Sequence, residues 1–541
     1  MTALVLGPLL RHVGEHTATI WVETAHPCEV RVFDDEHGLD ARASTFTVHG
    51  HHYALVEVDG LEAGARVPYQ VALDGKTVWP ARETRFPASQ IRTMDARETL
   101  RISFGSCRRA PDTAKVFGVD ALAALAHRLT DDPDAAWPSV LLMVGDQVYA
   151  DELSEEMRTF IRARREPGTE PEDELADYED YTHLYALAWR EDPAVQWLLS
   201  TVPTLVIFDD HDIRDDWNTS FTWRQQMWAK PWWRDRIVGG IASYWVYQHL
   251  GNLAPGERAA DPVYRAVLEA AAKGEDAGPL LDEFAEKADK EPASTRWSYS
   301  HDWGGTRLVV VDSRCSRLLT EDRRGMLDDD EFQWLDGRLQ GGMDHLLIAS
   351  SLPYLLAPAI HHAEAWNEAV AAGAWGARAG RFGEKVRQAA DLEHWGAFEK
   401  SFNEVAKDIV AVGRGERGAP PATIAFLSGD VHYSYVARVT SPETTSQIAQ
   451  LVCSPFRNPL PAHFRFAQRL GVTRPMAGIT RLLARRAKVP LPPLRWRLTD
   501  GPWFDNAVAT VELTGRTSRV RWDTPASETD MRQLAGVRIA G

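Results

Sequence analysis

Four stretches of the chain share one design, a short apolar run that stops abruptly at ionisable residues. Thr204-Leu-Val-Ile-Phe208 runs into Asp209-Asp-His-Asp212, and Leu100-Arg-Ile-Ser-Phe104 into Gly105-Ser-Cys107. Val140-Leu-Leu-Met-Val144 runs into Gly145-Asp-Gln-Val-Tyr-Ala-Asp151, and Ile424-Ala-Phe-Leu427 into Ser428-Gly-Asp-Val-His432. Apolar runs of this length, bounded by turn residues, predict buried strands. In open α/β sheets, ligands gather at the carboxyl ends of the strands. Four strand ends carrying a thiol, carboxylates and histidines therefore point to one shared metal centre.

The rest of the pattern divides in two. Residues 1–95 alternate apolar and polar positions in Thr17–Thr24, Glu29–Val32, Tyr53–Val58 and Tyr69–Leu73, with turn signals at Asp59-Gly60, Ala63-Gly64 and Asp74-Gly75. Short strands at this spacing predict a small β-sandwich. His51-His52 is a conceivable metal pair, read here as a solvated loop. From about 98 to 525, strands alternate with helical segments such as Asp120–Leu129, which predicts an α/β fold with helices covering a sheet. Residues 220–300 read as a Trp-rich and then charged helical insertion, with Glu269–Lys290 as a solvated stretch. Further strands are expected at Arg307–Val311, His345–Ala349, Tyr433–Val439 and 503–523, and a polar tail over 526–541. Leu460–Pro493 is basic, which suits a partner surface, a lid, or a surface helix pair balancing an acidic body.

Composition narrows the function classes. The 541 residues are 44% apolar and 25% charged, as in ordinary globular proteins. A net charge of -17 argues against a nucleic-acid binder. No apolar run reaches membrane-span length. Met1–Leu10 has an apolar patch without the basic residues or cleavage site of a signal peptide, so a cytoplasmic location is expected. The four cysteines, at 28, 107, 315 and 453, form no C-x-x-C pair, which argues against a disulfide framework or a thiolate zinc site. Cys107 stands apart because it follows a strand.

A binuclear hydrolase needs a carboxylate that bridges two cations, and Asp146 suits that place. Asp210 and Asp430 are candidate oxygen ligands of the second ion. His432, two residues beyond Asp430 in an extended segment, offers an imidazole to the first. His211 suits the group beside the leaving oxygen. A thiolate and a phenolate, Cys107 and Tyr149, would favour a ferric or other redox-capable first ion. Tyr149 follows Asp146 by three residues, which places the two side chains on one side.

Taken in order, Phe104-Gly-Ser-Cys107, Gly145–Asp151, Asp209–Asp212 and Ser428–His432 resemble the PhoD-type alkaline phosphatases of the metallophosphoesterase superfamily. Asp312-Ser-Arg314 with Arg317 resembles a further family segment. Leu61–Gly64 followed by Tyr69 resembles the tyrosine corner of fibronectin-like domains, and such a domain precedes the catalytic domain in that family. The resemblance implies a four-layer αββα catalytic domain over 96–525 behind a fibronectin-like sandwich. It also implies an iron–calcium centre, Fe(3+) with Ca(2+), other divalent metals remaining open. Cys107, Asp146, Tyr149 and His432 would hold iron, Asp146, Asp210 and Asp430 would hold calcium, and His211 would assist. The implied reaction is hydrolysis of a small phosphate monoester or diester by a metal-bound hydroxide.

The chain departs from the family where Asp215-Asp216 replaces a usual pair of asparagines; Asp216 is the candidate calcium ligand there. Arg314 and Arg108 are candidates to clamp phosphate oxygens, with structural ion pairs as the other reading. Asp151, His183 and Trp217 lie near the motifs, and Glu393-His394-Trp395 is a candidate further contributor. Two other functions stay open. One is a phosphodiesterase or phospholipase D-like activity on a larger substrate, with 460–500 as its arm. The other is a non-catalytic metal- or phosphate-binding protein.

Overall fold

The structure is a computed structural model. It describes all residues except 1–2, 82, 111–115, 132–135, 321, 441–443, 462–464, 466–467, 470 and 472. The alternating N-terminal segments form two four-stranded antiparallel sheets. One has the order Leu4–Val13, Ala18–Thr24, His51–Val58, Phe46–Val48, and the other Leu39–Ser44, Glu29–Asp34, Gln70–Leu73, Lys76–Trp79. Leu10, Ile20, Val22, Val32, Val56 and Val71 fill the space between them.

Alternation predicts a strand with one wet face, but Ala18–Thr24 is buried on both. Its second face, with Thr19, Trp21 and Glu23, meets the helical part of the chain. Thr19 Oγ1 accepts from Arg258, Trp21 Nε1 donates to the Val246 carbonyl, and Glu23 accepts from Tyr247 Oη at 2.8 Å. Two expectations change for the same reason. Tyr69 closes no corner within its own domain; its hydroxyl donates to the Ser200 carbonyl at 2.6 Å, across the seam. His51 is no loop residue; it lies in a strand and bridges Glu23 at 2.9 Å to Glu179 at 2.8 Å.

Two larger sheets carry the rest. The first orders Thr204–Ile207, Val140–Val144, Leu100–Gly105, Val508–Thr514, Thr517–Pro525 and Met531–Ala540. Its first three strands are parallel, with Ile102 opposite Val140 and Leu142 opposite Leu205. The residues expected as a polar tail therefore end in an edge strand, paired to Thr517–Pro525. The second sheet orders Tyr299–Trp303, Thr306–Val310, His345–Ala349, Thr423–Ser428, Gln447–Val452, Ser434–Val439 and Trp496–Trp503, with four parallel strands at its centre.

The two-residue period of the strands shows where each face goes. Phe104, Leu142, Val144 and Ile207 of the first sheet share one core with Leu308, Leu347, Leu427 and Leu451 of the second. Leu141, Met143 and Val206 point the other way and pack with helices Ala121–Asp131, Tyr178–Trp189, Pro193–Thr201 and Trp233–Tyr244. Leu346, Ile348, Ile424 and Phe426 pack against helix Glu399–Arg414 through Phe402, Val405 and Ile409. Strands buried on both faces explain the unbroken apolar runs in the sequence.

Residues 220–300 are mostly helical. Glu269–Lys290 is broken at Gly274, however, and helix Gly278–Lys290 buries Leu281, Ala285 and Ala288. Among the described residues, no helix is long and apolar enough to cross a membrane.

Candidate metal centre

Parallel strands bring the four motifs to one edge. Beyond Gly105 the Cys107 amide donates to the Gly145 carbonyl, and beyond Val144 the Arg108 amide donates to the Asp146 carbonyl. The Asp430 amide donates to Ser106 Oγ at 2.9 Å, which ties the second sheet to the first. Asp212 lies behind this junction. Its Oδ2 accepts from the amides of Asp146 at 3.0 Å and Asp209 at 2.9 Å, and its Oδ1 from Gln248 at 3.1 Å.

Cys107, Asp146, Asp430 and His432 all have positive φ, at 57°, 54°, 65° and 56°. Side chains other than glycine seldom adopt this region, and such outliers cluster at functional sites. Gly145 (φ +99) leaves no room for a methyl group: a Cβ there would stand 2.6 Å from Cβ of Asp209 and 2.9 Å from Cβ of Ser351.

Asp146 belongs to two groups of potential ligand atoms. Cys107, Asp146 and His432 form one, and Asp146, Asp209 and Asp210 the other; within each, all atoms lie inside 4.8 Å of one another. Tyr149 Oη reaches Asp146 Oδ2 at 3.4 Å and accepts from Asn458 at 3.0 Å. His432 Nδ1 donates to the Asn458 carbonyl at 2.9 Å, so the unprotonated nitrogen is Nε2. Burial pushes the His432 pKa down to about 4. Burial, and then Asp146, push the Cys107 thiol well up.

His211 stands beside this group, its ring 4.6 Å from that of Tyr149. Its Nδ1 bonds Asp151 at 2.9 Å, and its Nε2 faces Asp215 at 3.8 Å. Burial opposes the imidazolium, but Asp151, Asp210 and Asp146 outweigh it and raise the pKa well above the ordinary value. His394 is held in the same way, bonding Glu364 and Asp430 at 2.8 Å each.

Carboxylates outnumber the cations here, and the pKa shifts record it. Burial and neighbouring carboxylates raise Asp215 to about 7 and Asp216 to about 9. Asp146 Oδ1, Asp209 Oδ2 and Asp216 Oδ1 are buried and accept no hydrogen bond from the described residues. Buried carboxylate oxygens without partners are costly. This donor set, thiol, phenol, imidazole and surplus carboxylate, fits cations of both soft and hard character.

Two expected phosphate clamps are occupied elsewhere. Arg108 is buried, donating to Asp120 at 2.8 Å and to the Ala188 carbonyl. Arg314 is fully buried behind the centre, where it binds Asp209, Glu393 at 2.5 Å and Asp210 at 3.0 Å. Both make ion pairs within the protein, and neither faces an opening. Asp216 lies next to the centre, its amide donating to Asp210 Oδ2 at 3.0 Å. Of the residues near the motifs, Asp151 orients His211, whereas His183 stacks on Phe160 and Trp217 packs in the core. Asp209, Asp212, Gln248 and Asn458 carry no signal in the sequence that singles them out, apart from the place of the two aspartates inside a motif.

A sequence model described as PhoD-like phosphatase matches residues 111–269, and one described as a domain of unknown function (DUF7800) matches 1–91. A solved structure titled "Structure of PhoD" superposes with a TM-score of 0.60 at 13% identity, over 99% of this chain and 93% of that chain. Another, titled "The type III pullulan hydrolase from Thermococcus kodakarensis", reaches only 0.15 at 9% identity and carries no argument. No curated protein matches. The similarity to PhoD-like phosphatases read from the four motifs thus has support from a family match over 111–269 and from the fold over nearly the whole chain.

Proposed function

We propose that the chain is a metal-dependent phosphoesterase, hydrolysing phosphate monoesters, diesters or both, on a four-layer αββα body. The observation that carries this reading is the shared position of Asp146 in two adjacent ligand groups, as a carboxylate bridging two cations requires. Cys107, Asp146, Tyr149 and His432 would hold the first ion, iron on the resemblance. Asp146, Asp210, Asp216 and Asp430 would hold the second, calcium on the same ground, with Asp209 beside them. When bound, the ions would supply Lewis-acid activation of water and of the phosphoryl oxygens.

The remaining chemistry belongs to the chain. His211, kept protonated and aimed by Asp151, donates its Nε2 proton to the leaving oxygen. His394 and Arg314 hold Asp430 and Asp210 in place. The Asn458 carbonyl fixes the tautomer that leaves His432 Nε2 free to bind a cation.

The test is to purify the protein without chelator, measure bound metals by plasma mass spectrometry, and assay mono- and bis-nitrophenyl phosphate in parallel. Iron and calcium with hydrolysis is the expected result. A different metal with hydrolysis would overturn the ligand assignment alone. Absence of both metal and hydrolysis would overturn the function.

A further inference from the structure

The basic segment read in the sequence starts at the candidate centre and leads away from it. Asn458 touches Tyr149 and His432. From Arg457 to Arg497 the sequence holds ten arginines and lysines and no acidic residue, in a chain of net charge -17. Part of 460–472 lies outside the described residues. The described part includes helix Arg474–Arg486.

This helix carries two stripes. Arg474, Arg481 and Arg485, spaced seven and four apart, lie along one flank, all exposed. None pairs with a carboxylate among the described residues. Next to them Met476, Ile479 and Leu482 stand outward, Ile479 55% and Leu482 49% exposed. Exposed Trp375 caps the end of this face, donating to the Arg486 carbonyl at 3.2 Å.

Beside the arginine flank is a cavity of about 490 Å³, lined by Arg474, Arg481, Arg495, His362, Leu491 and Trp496 among others, with no acidic residue. The helix packs on Pro358–Ala371, which supplies Glu364 to His394 and through it reaches Asp430. The helix is thus linked to the candidate centre through one intervening helix.

We propose that this face docks on an anionic lipid surface, with Met476, Ile479, Leu482 and Trp375 entering the boundary of the acyl chains. The arginine-lined cavity receives a phosphate headgroup. Arginines alone would suit any polyanion. Apolar side chains standing outward beside them, with an indole at the edge, suit the interface of a bilayer. The inference is independent of the phosphoesterase reading, because binding is measured without turnover.

Flotation of the full chain with vesicles of phosphatidylcholine, with and without phosphatidylglycerol, tests it. The wild type should float only with the anionic vesicles. Replacing Arg474, Arg481 and Arg485 together by Gln should weaken binding about 100-fold. Replacing Ile479 and Leu482 by Ser should weaken it at least about tenfold. Hydrolysis of a soluble nitrophenyl ester should be unchanged in both. Failure of the wild type to float, or full binding by either variant, overturns the proposal. So does a dimer in light scattering that the same variants dissociate, since the face would then join copies of the chain. Oligonucleotide binding as tight as vesicle binding and indifferent to the serine variant also overturns it.

Discussion

Arg314 offers the sharpest test of the site's construction, because two roles predict opposite results. A guanidinium that clamps substrate can be removed with a loss of affinity and little loss of stability. The structure gives Arg314 the other role. It is fully buried and bonds Asp209, Glu393 at 2.5 Å and Asp210 at 3.0 Å. Each attraction at such distances is on the order of 5 kcal/mol at an effective dielectric of about 20. Most of that offsets the cost of taking the charges out of water. Removing one partner of such a network leaves buried carboxylates uncompensated and typically costs about 3–5 kcal/mol. Arg314→Met should therefore lower the thermal midpoint by roughly 3–5 °C, measured with chelator present so that no cation substitutes for the lost charge. Arg314→Lys should recover only part of it, since an ammonium cannot reproduce a planar fork over three carboxylates. A methionine variant that unfolds at the wild-type temperature and shows only a raised KM would refute this reasoning and restore Arg314 as a phosphate clamp.

Two further predictions rest on histidines. His211→Gln should keep the bound metals yet lower kcat by about 10²–10⁴-fold; wild-type turnover would remove His211 from the chemistry. His51, raised to about 9, bridges Glu23 and Glu179 across the seam. Burial opposes its charge, and the two carboxylates outweigh that. Because the folded pKa is the higher, this stabilisation is complete below about pH 6.5 and is lost as pH rises through 9. The wild type should exceed His51→Gln in unfolding free energy by about 2–3 kcal/mol at pH 6, with the gap closing by pH 10. A gap independent of pH would show that the imidazolium contributes nothing.

Much of the site was legible because its chemistry sits at the ends of strands. Apolar runs announce buried strands, and the residues that follow them must gather at one edge, so Cys107, Asp146, Asp210 and His432 could be grouped before any coordinates. What the sequence hid was the direction and occupancy of side chains. Arg108 and Arg314 follow motifs and carry the right charge, yet Arg108 pairs with nearby Asp120 and Arg314 with carboxylates from elements far apart in the chain. Asp212 shares a motif with Asp210, but its carboxylate turns inward to bind backbone amides. The strand pattern of the N-terminal residues was also legible, whereas the burial of its second face was not, because alternation reports only that two faces differ. The C-terminal residues read as a tail because an edge strand needs few apolar positions.

Arg11 gives the small N-terminal sandwich a say in the centre. From its strand this buried arginine donates to the carbonyls of Thr204, Tyr247 and Gln248 and to Asn252. Tyr247 and Gln248 lie in a single turn of π-helix, Trp245–His249, a distortion often found at functional sites. The Gln248 side chain in turn holds Asp212, the carboxylate that fixes the amides of Asp146 and Asp209. Three side chains, those of Arg11, Gln248 and Asp212, thus form a strut from a strand with no chemistry of its own to the backbone of Asp146. A cut at the apparent domain boundary would leave the whole ligand set in the remaining chain but remove the brace that sets its spacing.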